Sequence, residues 1–233
     1  MNEEGLQILR LFKDETRPNT SNIGRHRIID DLLREELAAN PNLTVVIMGA
    51  GFDTRAFRLH NGTWVELDEP QVITYKEERL PAATSENELQ RIAIDFATDS
   101  LEQKLAPYSG RSPVTIVIDG VLMYLEEAAI DQVLQTLKRL FPQHRIICDL
   151  MTRDFFENSA SSIHEKLTAL GATFRFAVDN PAEVFVKNGY RQLKEIPIVE
   201  KSVLFEAGEI PPEVWQTIQP NLPQGYSIYV FET

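Results

Sequence analysis

The sequence predicts an α/β protein: a doubly wound, mostly parallel sheet with helices on both faces. Apolar runs of strand length alternate along the chain with longer segments of helical periodicity. Val45 to Met48 is apolar at every position, as in a strand covered on both sides within a parallel sheet. That run passes directly into Gly49-Ala50-Gly51, and Asp53 or Thr54 then stands where the N-cap of a short helix through Leu59 is needed. Two glycines between strand and helix let the backbone approach a ligand that a Cβ would push away.

The totals set the bounds. A chain of 233 residues, 43% hydrophobic and 25% charged, suits one soluble globular domain over residues 1–233. A net charge of -12 disfavours a nucleic-acid surface and equally an anionic membrane. Cys148 is the single cysteine, so there is no disulfide framework and no cysteine-based metal site, and no metal is expected. The polar start, Met-Asn-Glu-Glu-Gly, does not read as a signal peptide, and the expected location is cytoplasmic.

In order, residues 6–12 have the pattern of a short amphipathic helix, and 14–22, with Pro18, read as a loop. From Ile23 to Ala39 the apolar positions Ile28, Ile29, Leu32, Leu33 and Leu37 recur at helical spacing, so residues 1–40 form a helical cover before the first strand. Pro41 ends this helix. Trp64 to Asp68 is the second strand, and Gln71 to Leu80 is a helix stopped by Pro81. Gln90 to Phe96 is the third strand, Ser100 to Leu105 a short helix and Pro113 to Ile118 the fourth strand. Glu126 to Leu140 is an amphipathic helix and His144 to Leu150 the fifth strand. A long helix follows from Thr152 to Leu170, closed by Gly171, and another from Pro181 to Asn188. Strand character returns in Gln192 to Val199 and Gln224 to Glu232, with a helix from Pro211 to Ile218 between them.

Function enters through the ends of the strands, where open α/β sheets bind ligands. The glycine turn reads Gly-x-Gly-x-x-Thr, without the third glycine of a pyrophosphate site, so it suits an adenosine ligand that lacks phosphates. Asp68 follows Gly51 near the roughly 20-residue offset of a ribose-binding acid. Asp95, beside Phe96, is placed to hold an adenine, and Asp119 closes the fourth strand. S-adenosylmethionine offers a ribose diol, a purine, an ammonium and a sulfonium to such acids, whereas NAD brings pyrophosphate charge toward them. Its carboxylate needs a cation, and Arg25 on the covering helix is available.

The same residues carry a resemblance. Gly49-Ala50-Gly51-Phe52-Asp53-Thr54-Arg55 resembles the Gly-Ala-Gly-x-Asp-Thr-Arg box of the leucine carboxyl methyltransferase family, which includes bacterial polyketide O-methyltransferase relatives. Arg25 with Asp30-Asp31, Glu66-Leu67-Asp68-Glu69-Pro70 and Asp119 to Leu125 match in the family's order. The resemblance implies a Rossmann-like class I methyltransferase fold of seven strands, one of them antiparallel. It also implies methyl transfer from S-adenosylmethionine to a carboxylate or hydroxyl oxygen of a small-molecule acceptor. By it, Arg25 meets the methionine carboxylate, the Gly49, Ala50 and Gly51 turn lines the methionine end, Asp68 binds the ribose, Asp95 and Phe96 the adenine, and Asp119 the ammonium. Asp119 stands where the family often has Glu and reaches about one methylene less far.

Tyr124 is the residue best placed to touch an acceptor. His26, His164 and Tyr124 are the candidates for a base, and none is assigned. An NAD-dependent oxidoreductase and a noncatalytic S-adenosylmethionine-binding module are the competing expectations. Oligomeric state is left open.

Overall fold

The structure, a computed structural model, describes residues 6, 10 and 16–233. Seven strands are described: β1 (Thr44–Met48), β2 (Thr63–Asp68), β3 (Glu88–Ala93), β4 (Val114–Ile118), β5 (His144–Met151), β6 (Arg191–Pro197) and β7 (Tyr226–Glu232). They form one sheet in the order β3-β2-β1-β4-β5-β7-β6. β1 to β5 are parallel to one another, and β7 runs antiparallel to both β5 and β6. The doubly wound sheet with one antiparallel strand is therefore present as expected. Strand order reverses between β1 and β4, which opens a crevice at their carboxyl ends.

The helices are α1 (Thr16–Ala39), α2 (Arg55–Arg58), α3 (Pro70–Arg79), α4 (Leu101–Leu105), α5 (Glu127–Leu140), α6 (Ser161–Ala169), α7 (Glu183–Lys187), α8 (Ile198–Ala207) and α9 (Pro212–Ile218). Each side of the sheet takes alternate residues of a strand, because successive strand side chains point to opposite faces. Val46 and Met48 of β1 pack with Ile130, Leu134 and Leu137 of α5 on one side. Val45 and Ile47 pack with Ile28, Ile29, Leu32, Leu33 and Leu37 of α1 on the other. Each such apolar side chain contributes about 1.5–3 kcal/mol when fully buried, which is what holds α1 down. Gly24 makes the docking close: a Cβ there would lie 1.9 Å from the Ser202 Oγ of α8.

Several boundaries differ from the sequence reading. The 14–22 loop is corrected from Thr16 onward, where the described chain is already helical: α1 runs through Pro18 and Asn22. Of the 6–12 helix, Leu6 and Arg10 are helical and the rest lies outside the described residues. β3 stops at Ala93, where pairing with β2 ends, so Asp95 and Phe96 lie in the turn beyond the strand. The long helix after β5 is broken into Arg153–Phe155, a π-helical turn Phe156–Ala160 and α6. Ile198 and Val199, read as the end of a strand, instead start α8, which follows Pro197. Among the described residues no helix is long and apolar enough to cross a membrane.

Candidate functional site

The glycine turn is fixed by its neighbours. Ala50 is buried and donates its N–H to Leu67 O at 2.9 Å, tying the turn to β2. Gly49 has φ +67, and a Cβ there would lie 2.4 Å from Val121 Cγ2. Gly51 has φ +45, and a Cβ there would meet nothing within 4 Å. The first glycine is thus demanded by protein packing, while the second faces open space.

Asp68 organises this turn. Its Oδ2 accepts from Gly51 N at 2.6 Å and its Oδ1 from Glu69 N at 2.7 Å. One carboxylate therefore joins β2 to the glycine turn and keeps lone pairs for a further donor. Asp95 caps its own turn, its Oδ1 accepting from Ala97 N at 2.9 Å. Phe96 is 44% exposed, and its N–H donates to Glu69 Oε1 at 3.3 Å. Glu69, which has no individual role in the sequence analysis, so links the Asp68 and Asp95 ends of the crevice.

The sequence reading pictures Asp119 open to a ligand's ammonium. The structure places it in a buried ionic network. Arg25 Nε lies 2.7 Å from Asp119 Oδ1, and His26 Nδ1 and Arg55 Nη1 lie 3.0 and 3.2 Å from Oδ2. Arg55, in the Asp-Thr-Arg box but given no role from sequence, is the centre, with 1% of its side chain exposed. Its Nε donates to Asp30 Oδ1 at 2.7 Å, its Nη1 also pairs with Asp53, and its backbone N–H donates to Asp53 Oδ1 at 2.6 Å. Thr54 occupies the N-cap position of α2 without a side-chain cap bond, so Asp53 serves in its place.

Burial alone raises the pKa of Asp119, but the hydrogen bond to His26 and the charges of Arg25 and Arg55 hold the carboxyl well below the usual range. Asp30 is likewise lowered: burial opposes ionisation, and hydrogen bonds and charge from Arg58 and Arg55 overcome it. Asp149, fully buried in β5, goes the other way, raised chiefly by burial and secondarily by Asp119, against Arg25.

Tyr124 lies in a 3-10 turn after β4, and burial lifts its phenol above the ordinary value. Its ring meets Phe174 edge-on at 5.1 Å. Phe174 in turn lies 6.0 Å from Phe156 and 5.2 Å from His164, while Phe155 lies 5.3 Å from Tyr226. His164 is thus part of an aromatic cluster, with its Nε2 3.3 Å from Thr168 Oγ1. The π-helical turn gives Phe155 and Phe156 their separate contacts. A doubled aromatic beside a helix start was the only signal for it in the sequence.

A turn, a ribose-type acid and a buried ionic cluster at the switch point call for comparison with known proteins. The sequence profile of the leucine carboxyl methyltransferase family matches residues 10–138. The chain belongs to that family. Among its relatives is a putative S-adenosyl-L-methionine-dependent methyltransferase of Mycobacteroides abscessus, 36% identical over 121 residues, 47% of this chain and 40% of that protein. The tetracenomycin polyketide synthesis O-methyltransferase TcmP of Streptomyces glaucescens is 28% identical over 163 residues, 67% of this chain and 56% of that protein. The chain thus spans about half the length of these relatives. Among solved structures, magnesium protoporphyrin IX methyltransferase from Synechocystis PCC 6803 with bound SAH aligns with TM-score 0.58 at 13% identity over 99% of this chain and 95% of that one. That likeness places the fold among class I methyltransferases.

S-adenosylmethionine is the cofactor with which the family works, and the residues present fit it. Arg25 Nε and Asp119 Oδ1 are buried and face each other as an ion pair at 2.7 Å. An amino acid's carboxylate and ammonium are the complements of these two atoms. A Cβ at Gly51 would meet nothing within 4 Å, so the turn is open on that side, and the Gly51 N–H is bound to Asp68.

Proposed function

We propose that this protein is an O-methyltransferase that moves the methyl group of S-adenosylmethionine to an ionised carboxylate of a small-molecule acceptor seated beside Tyr124. Arg25 and Asp119 hold the methionine end, the Gly49, Ala50 and Gly51 turn lines it, Asp68 holds the ribose, and Asp95 with Phe96 flanks the adenine. The name of the Streptomyces relative supports oxygen as the accepting atom.

One observation carries the preference for a carboxylate. Among the described residues at the head of the crevice, the acids are held by arginine or backbone N–H groups, and Asp119 is depressed far below what a base for a phenol needs. Tyr124 keeps its proton, so it donates a hydrogen bond and does not accept a proton. An acceptor that arrives already ionised requires no base.

S-adenosylmethionine supplies an electrophilic methyl on a sulfonium that leaves as a neutral thioether. The chain's part is positioning: Arg25 and Asp119 fix one end, Asp68 another, and Tyr124 orients the accepting oxygen. Such alignment supplies up to ~7–11 kcal/mol of the barrier reduction. Transfer of labelled methyl from the donor to a panel of carboxylic acids and phenols tests the reading. The expected product is a base-labile methyl ester. Label found only in base-stable ethers moves the assignment to hydroxyls, and donor binding without transfer to any acceptor leaves a binding module.

A further inference from the structure

We propose that Asp149 and Tyr226 are positioning residues that aim Arg25 at the carboxylate of the donor's amino-acid end. The inference rests on the donor assignment above and adds two residues that touch no ligand.

Asp149 and Tyr226 come from adjacent antiparallel strands, β5 and β7, and both are buried. Both meet one guanidinium nitrogen of Arg25. Arg25 Nη1 donates to the Tyr226 hydroxyl at 2.6 Å and to Asp149 Oδ2 at 3.2 Å. The Tyr226 hydroxyl donates its own proton to Asp149 Oδ2 at 2.8 Å, and Asp149 Oδ1 accepts from Gly120 N at 2.7 Å. The proton count closes: the phenol gives one hydrogen bond and receives one, and burial keeps it protonated.

This clamp fixes the direction of the guanidinium without using all of its donors. Nη1 is engaged by Tyr226 and Asp149 and Nε is buried 2.7 Å from Asp119 Oδ1, while Nη2 makes no hydrogen bond among the described residues. Arg25 is thus anchored from behind with a donor turned toward Asp119, one residue before Gly120, where a Cβ would come within 3.1 Å of Nη2. A long side chain held this way binds a carboxylate with less rotamer freedom to lose. The Tyr226 hydroxyl bridges the directly paired carboxylate and guanidinium, so Nη1 is held at two points and the guanidinium direction is fixed.

Calorimetry on the full chain separates the two roles, using S-adenosylhomocysteine and 5′-methylthioadenosine, which lacks the amino-acid end. Tyr226→Phe is expected to weaken S-adenosylhomocysteine binding about tenfold, as for loss of a hydrogen bond to a charged group. Methylthioadenosine binding stays within twofold. Equal loss on both probes, or no loss on either, overturns the proposal. Asp149→Asn, which keeps the shape, is read by the same ratio if Tyr226→Phe does not fold. If the unaltered protein binds neither probe, the donor assignment itself falls, an outcome distinct from the other two.

Discussion

Arg55 shows how much one side chain can settle. It is buried against Asp30, Asp53 and Asp119, so three carboxylates from α1, the glycine turn and the end of β4 share one cation. A pH prediction follows. Asp30 and Asp119 have folded pKa values below their unfolded value of about 4, so their contribution is complete above that value and is lost as pH falls through the lower folded values. Asp149 is raised, so it subtracts stability at neutral pH and returns it as pH falls toward about 4. Urea unfolding from pH 7 downward should therefore show a shallow rise, then a steep fall on the acid side, each pKa unit being worth about 1.4 kcal/mol. Arg55→Met should flatten the acid fall; an unchanged profile counts against the network. Little of this was legible in the sequence. Asp30 precedes Arg55 by far too much chain for a local signal, and only the acid inside the apolar run Ile146-Ile147-Cys148-Asp149-Leu150 hinted at a buried ion.

At the level of elements, the glycine turn divides into two duties. Gly49→Ala should destabilise strongly, since a positive φ is combined with a 2.4 Å approach to Val121. Gly51→Ala has room and should cost only about 1–2 kcal/mol for its left-handed backbone. Donor affinity should nevertheless fall in Gly51→Ala, because its methyl enters the open space in front of the turn proposed to line the methionine end. Thermal unfolding and donor calorimetry check both, and equal destabilisation by the two changes would refute the division. Strands were well read because apolar β-branched runs end where burial ends. Residues 16–22 of α1 and all of α8 were not: Pro18 looked like a loop though it lies within helix, and Ile198-Val199 looked like strand though Pro197 ends it. Asp68, singled out by its spacing, does lie at the end of β2 against the glycine turn, whereas the turn that carries Asp95 and Phe96 was mistaken for strand because Ile92 and Ile94 continue the apolar alternation.

Across the whole molecule, burial falls from the centre of the sheet outward. Every residue of β1 and β4 is buried, whereas β3 and β6 at the two edges contain exposed positions. Hydrogen exchange followed by mass spectrometry should protect β1 and β4 longest and release β3 and β6 earlier, since edge backbone lacks a neighbour on one side. Protection of an edge strand equal to that of β1 would contradict this gradient. The switch point lies between the fully buried β1 and β4, so the crevice has a stiff floor, and α1 walls it where Arg25 reaches Asp119.

Gly24 has a bearing on that wall. With only a hydrogen between α1 and Ser202, the depth at which the amino-terminal helix seats is set by a segment near the opposite end of the chain. Arg25 is the very next residue, so even a methyl at position 24 would lever the guanidinium away from Asp119 without altering any group that meets a substrate.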